Sequence, residues 1–161
     1  MQNDMKILLL VGGSNDIFIT NMTKWLKASM PDTTIDIYEF FPTNNYQEKN
    51  VYMDNLVSYR KQDWQHKIVG LRSILPIWHA SRSLKSFLDG KYYDIIHCHW
   101  IIPQIVLTRD VYKHCTKLFV TFWGGELENL HILHSKKAYR KALGKFLENV
   151  DYIVNTKGFK D

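Results

Sequence analysis

Apolar residues in this chain gather into short unbroken runs, separated by longer stretches in which they recur every three or four positions. The runs at 6–11, 34–40, 93–99, 117–123 and 151–155 predict five strands. Four of them are nearly continuous in Ile, Val, Leu and aromatics, the pattern of parallel strands covered by helices on both faces. After the first run, Ser14, Asn15 and Asp16 offer capping oxygens. Ile19, Met22, Leu26 and Met30 then form a helical stripe that Phe18 and Trp25 widen, and Pro31 and Asp32 stop it.

Residues 41–67 are polar and aromatic-speckled with poor periodicity, and form a longer connection than compact domains commonly use. Helical spacing returns at 71–88 through Leu71, Ile74, Leu75, Trp78, Leu84, Phe87 and Leu88, with Pro76 near its start or at a kink and Gly90 at its end. A further helix is expected after Pro103, from Val106 to His114, and a basic one over 135–147. The order β, α, β, long insertion, α, β, α, β, α, β with right-handed crossovers predicts an α/β fold with a Rossmann-like, doubly wound parallel sheet. At 161 residues the chain suits a single domain over 1–161.

Composition adds little to that picture, with 45% hydrophobic and 23% charged residues giving no case for disorder. The opening MQNDMKILLLVGG has neither a basic n-region nor a small-residue cleavage site, and no segment is long enough to span a bilayer, so a cytoplasmic protein is expected. Cys98 and Cys115 sit among apolar residues and are expected to be reduced and buried. Charge is placed unevenly within the net +5. Residues 1–70 carry 7 Lys and Arg against 8 Asp and Glu, and residues 71–161 carry 14 against 8. A basic half suits phosphates, anionic lipid or nucleic acid, or else reflects a solvated helix face. No nucleic-acid module is recognisable, so no nucleic-acid partner is predicted.

Open doubly wound sheets bind ligands outside the carboxyl ends of their strands, and three such ends carry candidate chemistry. The first is Gly12-Gly13-Ser14, a turn feeding a helix amino terminus whose free N–H groups favour a phosphate. It is not a GxGxxG fingerprint, and Glu39, at the position of a ribose-binding acid, only partly restores a dinucleotide reading. A plain tight turn explains the segment equally well. The second is His97-Cys98-His99-Trp100. His97 and His99 share one strand face and Cys98 the other, and only His131 and His134 stand elsewhere as a pair, so no metal site is predicted. His97 reads as a satisfied core histidine, whereas His99 and Trp100 are ligand candidates. The third is Trp123-Gly124-Gly125-Glu126, which joins an aromatic face for sugars to a carboxylate able to bind hydroxyls or remove a proton.

The pairing of Tyr93-Asp94-Ile95-Ile96-His97-Cys98-His99-Trp100 with Thr121-Phe122-Trp123-Gly124-Gly125-Glu126-Leu127 resembles the amino-terminal domain of family 4 retaining glycosyltransferases. The Gly12-Gly13 turn and the closing Asp151-Tyr152-Ile153-Val154-Asn155-Thr156 fit as well, while residues 41–90 match only in spacing. The resemblance implies the amino-terminal, acceptor-side domain of a GT-B fold, with a nucleotide-diphospho-sugar as donor, a glycan or lipid-linked acceptor, and no cofactor. It also implies a role in cell-surface polysaccharide synthesis. Carried over by position, Gly12 and Gly13 approach the donor diphosphate or the acceptor and His99 lines the cleft, with Ser14 and Trp100 beside them as further substrate-binding candidates. Trp123, Gly124, Gly125 and Glu126 face the transferred sugar, which leaves His99, Trp123 and Glu126 as catalytic candidates. Several family members have histidine at the position of Trp123, and an indole cannot reproduce its hydrogen bonding. The family's carboxy-terminal nucleotide-sugar domain has no counterpart in this sequence, so the fragment alone is expected to be inactive. Lys136, Lys137, Arg140, Lys141 and Lys145 could meet anionic headgroups at the inner face of a membrane from one helix, or simply be solvated. The alternatives are a non-catalytic phospho-sugar or nucleotide binding module and a dinucleotide-dependent oxidoreductase, the latter disfavoured by the missing third glycine.

Overall fold

The structure, a computed structural model, describes residues 4–13, 16–42, 51–60, 74–123 and 137–155. Its centre is β1 (Lys6–Val11), five of whose six residues are buried. β1 pairs in parallel with β2 (Thr34–Glu39) on one side and with β4 (Tyr93–Cys98) on the other. Beyond β2 lies β3 (Asn55–Ser58), and beyond β4 lie β5 (Cys115–Phe122) and β6 (Tyr152–Asn155). The order β3-β2-β1-β4-β5-β6 is parallel throughout, a Rossmann-like arrangement whose direction of winding reverses between β1 and β4.

Alternate residues of β1 face two different layers. Ile7, Leu9 and Val11 join Ile19 of α1 (Ile17–Ser29) together with Ile35 and Ile37, and Met22 and Leu26 pack against this cluster. Leu8 and Leu10 join Ala80, Leu84 and Leu88 of α2 (Ile74–Leu88). The same cluster takes in Ile105 and Val106 of α3 (Pro103–Thr108) and Tyr139, Leu143 and Phe146 of α4 (Lys137–Leu147). Helices therefore flank both faces, α1 on one and α2, α3 and α4 on the other, as continuous apolar strands require. Cys98 and Cys115 are buried free thiols in the second layer.

Several local expectations needed correction. β3 falls inside the stretch read as an insertion. It is a short edge strand held by polar pairs, with Asn55 donating to Asp36 at 2.7 Å and the Asp54 carboxylate accepting from the Ile35 amide at 2.7 Å. Phe18 and Trp25 do not widen the buried stripe of α1, being 57% and 65% exposed, and Thr23 fills the gap by turning its hydroxyl onto the Ile19 carbonyl at 3.0 Å. Pro76 stands near the described start of α2, one of the two placements expected of it. The helix expected to reach His114 stops at Thr108, because Arg109 and Asp110 take positive φ of 49° and 60° before a 3-10 turn over Val111–His114.

Candidate functional site

The parallel ladder sets the positions of the loops. Past the end of β1 the Phe41 amide donates to the Gly12 carbonyl at 2.7 Å, and past β4 the His99 amide donates to the Leu10 carbonyl at 2.9 Å. Both turns are thus tied to the sheet where the winding reverses. The close packing also explains one glycine. A Cβ at Gly12 would stand 3.0 Å from Cε3 and Cζ3 of Trp100, inside normal carbon contact.

Around these turns lies a pocket of about 170 Å³ lined by Gly12, Gly13, Asp16, Phe18, Ile19, His99, Trp100 and Trp123. Gly12, Gly13, His99, Trp100 and Trp123, expected from three separate strand ends, are therefore brought together. Ser14, Gly124, Gly125 and Glu126 lie outside the described residues. Asp16, Phe18 and Ile19 were missed as lining residues because helical spacing assigns Asp16 to the cap and the other two to the core. The overlooked signal is position, since the first turn of a helix that follows a strand end faces the ligand edge of the sheet.

Trp123 anchors this wall. Its indole N–H donates to the His99 carbonyl at 2.8 Å, and its ring lies 5.1 Å from His99 and 5.0 Å from Phe18. With the N–H engaged, Trp123 presents an aromatic surface to a ligand. His99 has one unsettled atom, as its Nδ1 is buried without a hydrogen-bond partner among the described residues. Burial lowers the His99 pKa against the opposing pull of the Asp16 carboxylate, which keeps the imidazole neutral and able to exchange a hydrogen bond with a hydroxyl. His97, one turn of the pleat deeper, is bonded through Nε2 to the Thr121 hydroxyl at 2.7 Å. Burial, and secondarily the like charge of His99, pulls its pKa down to about 4, the behaviour of a satisfied core histidine.

The amino terminus of α1 is less open to anions than the glycine turn suggests. Asp16 caps it, its Oδ1 accepting from the Phe18 amide at 2.8 Å, so a carboxylate already occupies the positive end of the helix dipole. This helix end is therefore a poor place for a further anion. Glu39 is likewise committed: it is buried, and the Ser58 hydroxyl donates to it, which leaves the dinucleotide reading without its ribose acid. Among the described residues no three His, Cys, Asp or Glu side chains converge as a metal site would require, and no helix is long and apolar enough to cross a membrane. Comparison of the chain with protein-family models, curated proteins and solved structures found no match.

A larger cleft of about 350 Å³ lies between α3 and α4, with Arg109, Lys141 and Lys145 on its rim over Val106, Tyr112 and Phe146. It is far from the strand-end loops in topology, being built from helix bodies and the turn leading into β5. Lys137, Arg140, Lys141 and Lys145 of α4 are all exposed, opposite the buried Tyr139, Leu143 and Phe146.

Proposed function

We propose that this domain is the acceptor-side half of a GT-B glycosyltransferase of the retaining, family 4-like kind. It would act in transfer from a nucleotide-diphospho-sugar to a glycan or lipid-linked acceptor in cell-surface polysaccharide synthesis. The observation that carries the reading is the pocket at the reversal point of the sheet, where a glycine turn, the half-buried His99 imidazole and three aromatic rings meet. Aromatic faces over sugar C–H groups and a few convergent polar atoms are what a saccharide requires. A pocket of about 170 Å³ is smaller than the roughly 300–1,000 Å³ of sites that enclose a ligand, which suits one wall of a cleft shared with a second domain. The edge strand β6 supports the same view. Tyr152, Ile153 and Val154 stand 54%, 62% and 43% exposed, an apolar surface of the kind that further packing covers.

In this reading His99 accepts or donates one hydrogen bond at an acceptor hydroxyl, Trp123, Trp100 and Phe18 seat the ring, and Gly12 allows close backbone approach. Chemistry then depends on placing the donor from the other side, so the domain alone is inactive. The exposed cations of α4 offer a surface for anionic headgroups where the acceptor is lipid-linked.

Tryptophan fluorescence of the chain, titrated with nucleotide-diphospho-sugars, neutral oligosaccharides and NAD, tests this reading. Saturable quenching by sugars with Kd on the order of 1 mM, lost in Trp123→Leu, is expected. Micromolar binding of NAD, or no response to any sugar, would overturn it.

A further inference from the structure

Outside the pocket at Gly12 and Trp123, the same edge of the sheet carries a second cleft, of about 460 Å³, between the end of β3 and the body of α2. Tyr59 and Arg60 form one wall, directly past β3, with the Tyr59 amide bonded to the Glu39 carbonyl at 2.8 Å. Trp78, Arg82 and Ser86 form the other at helical spacing, with His79 and Ser83 beside them. Among the described residues no Asp or Glu lines the cleft. Arg60 and Arg82 form no ion pair or hydrogen bond among the described residues. The Arg82 guanidinium instead lies 4.8 Å over the Trp78 ring, and the His79 ring meets Trp78 edge-on at 4.9 Å.

We propose that this cleft binds a saccharide bearing a phosphate or carboxylate, and that it recognises the acidic group of the acceptor. Contact with Trp78 restrains the Arg82 guanidinium, and its N–H fork, unengaged among the described residues, can meet two anionic oxygens side by side, an arrangement a lysine cannot copy. Arg60 from the opposite wall adds a second cation. Trp78 keeps 48% of its surface open, enough for the C–H face of a ring, and the hydroxyls of Ser83 and Ser86 lie alongside. Ser83 is fixed as well, since its Oγ accepts from the Tyr38 hydroxyl at 2.8 Å. Position supplies the second half of the argument. Only β2 separates β3 from β1, so the two strand ends lie about 10 Å apart at ordinary strand spacing, and an oligosaccharide reaching from the cleft on the α2 side to the pocket on the α1 side crosses the crest of the sheet. The role as an acceptor subsite rests on the glycosyl-transfer reading, whereas recognition of an anionic sugar rests on this cleft alone.

The Trp78 indole N–H resonance, assigned with Trp78→Phe, reports on the cleft in the intact chain. Titrations with methyl β-glucuronide and glucose 6-phosphate are expected to saturate its shift, while methyl β-glucoside needs at least about tenfold higher concentration. Arg82→Gln weakens both anionic sugars about tenfold and leaves the glucoside unchanged, and Arg82→Lys recovers only part of the loss. Arg60→Gln, at an exposed position, repeats the test should Arg82→Gln perturb the fold. The proposal is overturned by equal binding of glucuronide and glucoside, by inorganic phosphate binding as tightly as glucose 6-phosphate, by tighter binding of a single-stranded oligonucleotide at Trp78, or by unchanged affinity in both arginine variants. Response at Trp123 to neutral sugars with none at Trp78 to anionic ones removes this subsite and keeps the wider reading. The reverse pattern keeps the subsite and removes that reading.

Discussion

Lowering the pH should loosen this fold well before its carboxylates protonate, because of His97. In the native chain its imidazole is half-buried beside Phe119 and bonded to Thr121, and its pKa falls from 6.5 to about 4. An unfolded chain takes up the proton near 6.5 while the folded chain refuses it until about 4, so the stabilisation is complete above pH 6.5 and is lost as the pH falls through that window. At about 1.4 kcal/mol for each unit of difference, the loss approaches about 3 kcal/mol, a large share of the roughly 5–15 kcal/mol that holds a domain. The lowered carboxylates Asp54, Asp110 and Asp151 act elsewhere, since their stabilisation is lost only as the pH falls below the ordinary range for aspartate, near 3.8. Urea unfolding from pH 7.5 to 4.5 should show the wild type losing up to about 3 kcal/mol more than His97→Gln, a variant that keeps a hydrogen-bonding group toward Thr121 but cannot titrate. His99, also lowered, contributes in both proteins and cancels except for the smaller part that comes from its repulsion with His97. Parallel stability curves for the two proteins across this window would refute the reasoning.

Other perturbations separate packing from site geometry. Gly12→Ala should push the Trp100 ring aside, moving its indole NMR signal and weakening sugar binding. It should cost less than about 1 kcal/mol in urea melts, because Trp100 is 42% exposed and can yield. Trp123→Phe removes the bond to the His99 carbonyl and should lower stability by about 1 kcal/mol with the far-UV circular dichroism unchanged. Arg109→Gly relieves the positive φ of 49° and should raise the midpoint of unfolding by about 1 kcal/mol equivalent. Leu84→Ala, at a fully buried position between α2 and the sheet, should cost about 2–5 kcal/mol.

The layers were legible because burial on both faces leaves no room for alternation. β1 reads as an unbroken apolar run, and the two clusters on either side of it follow from its residue parity. β3 was not legible. Its two apolar residues give no period, and what places it are the side chains of Asp36 and Asp54 reaching across strands. The break at Arg109 is similar, since an Arg-Asp pair carries no stop signal and the turn is set by the packing of Val111 into the core. At the site, strand-end logic found Gly12, His99 and Trp123 because topology alone brings those ends together. Phe18 was assigned inward because a helix-wheel reading treats every aromatic near the stripe as core, whereas the crest of the sheet holds it against Trp123. The Arg82 and Trp78 pair went unread for a related reason, as Trp78 counted toward an apolar stripe while its ring in fact carries a guanidinium.

The most direct test of a sugar-binding wall at the reversal point is to locate a bound ligand by amide and indole NMR, using a neutral oligosaccharide and a nucleotide-diphospho-sugar on the intact chain. The account predicts saturable shifts centred on the Gly12 and Gly13 amides, the His99 ring and the Trp100 and Trp123 indoles, with Trp25 on the outer face of α1 unmoved. Shifts that avoid these residues, or that center there only with NAD, would contradict it.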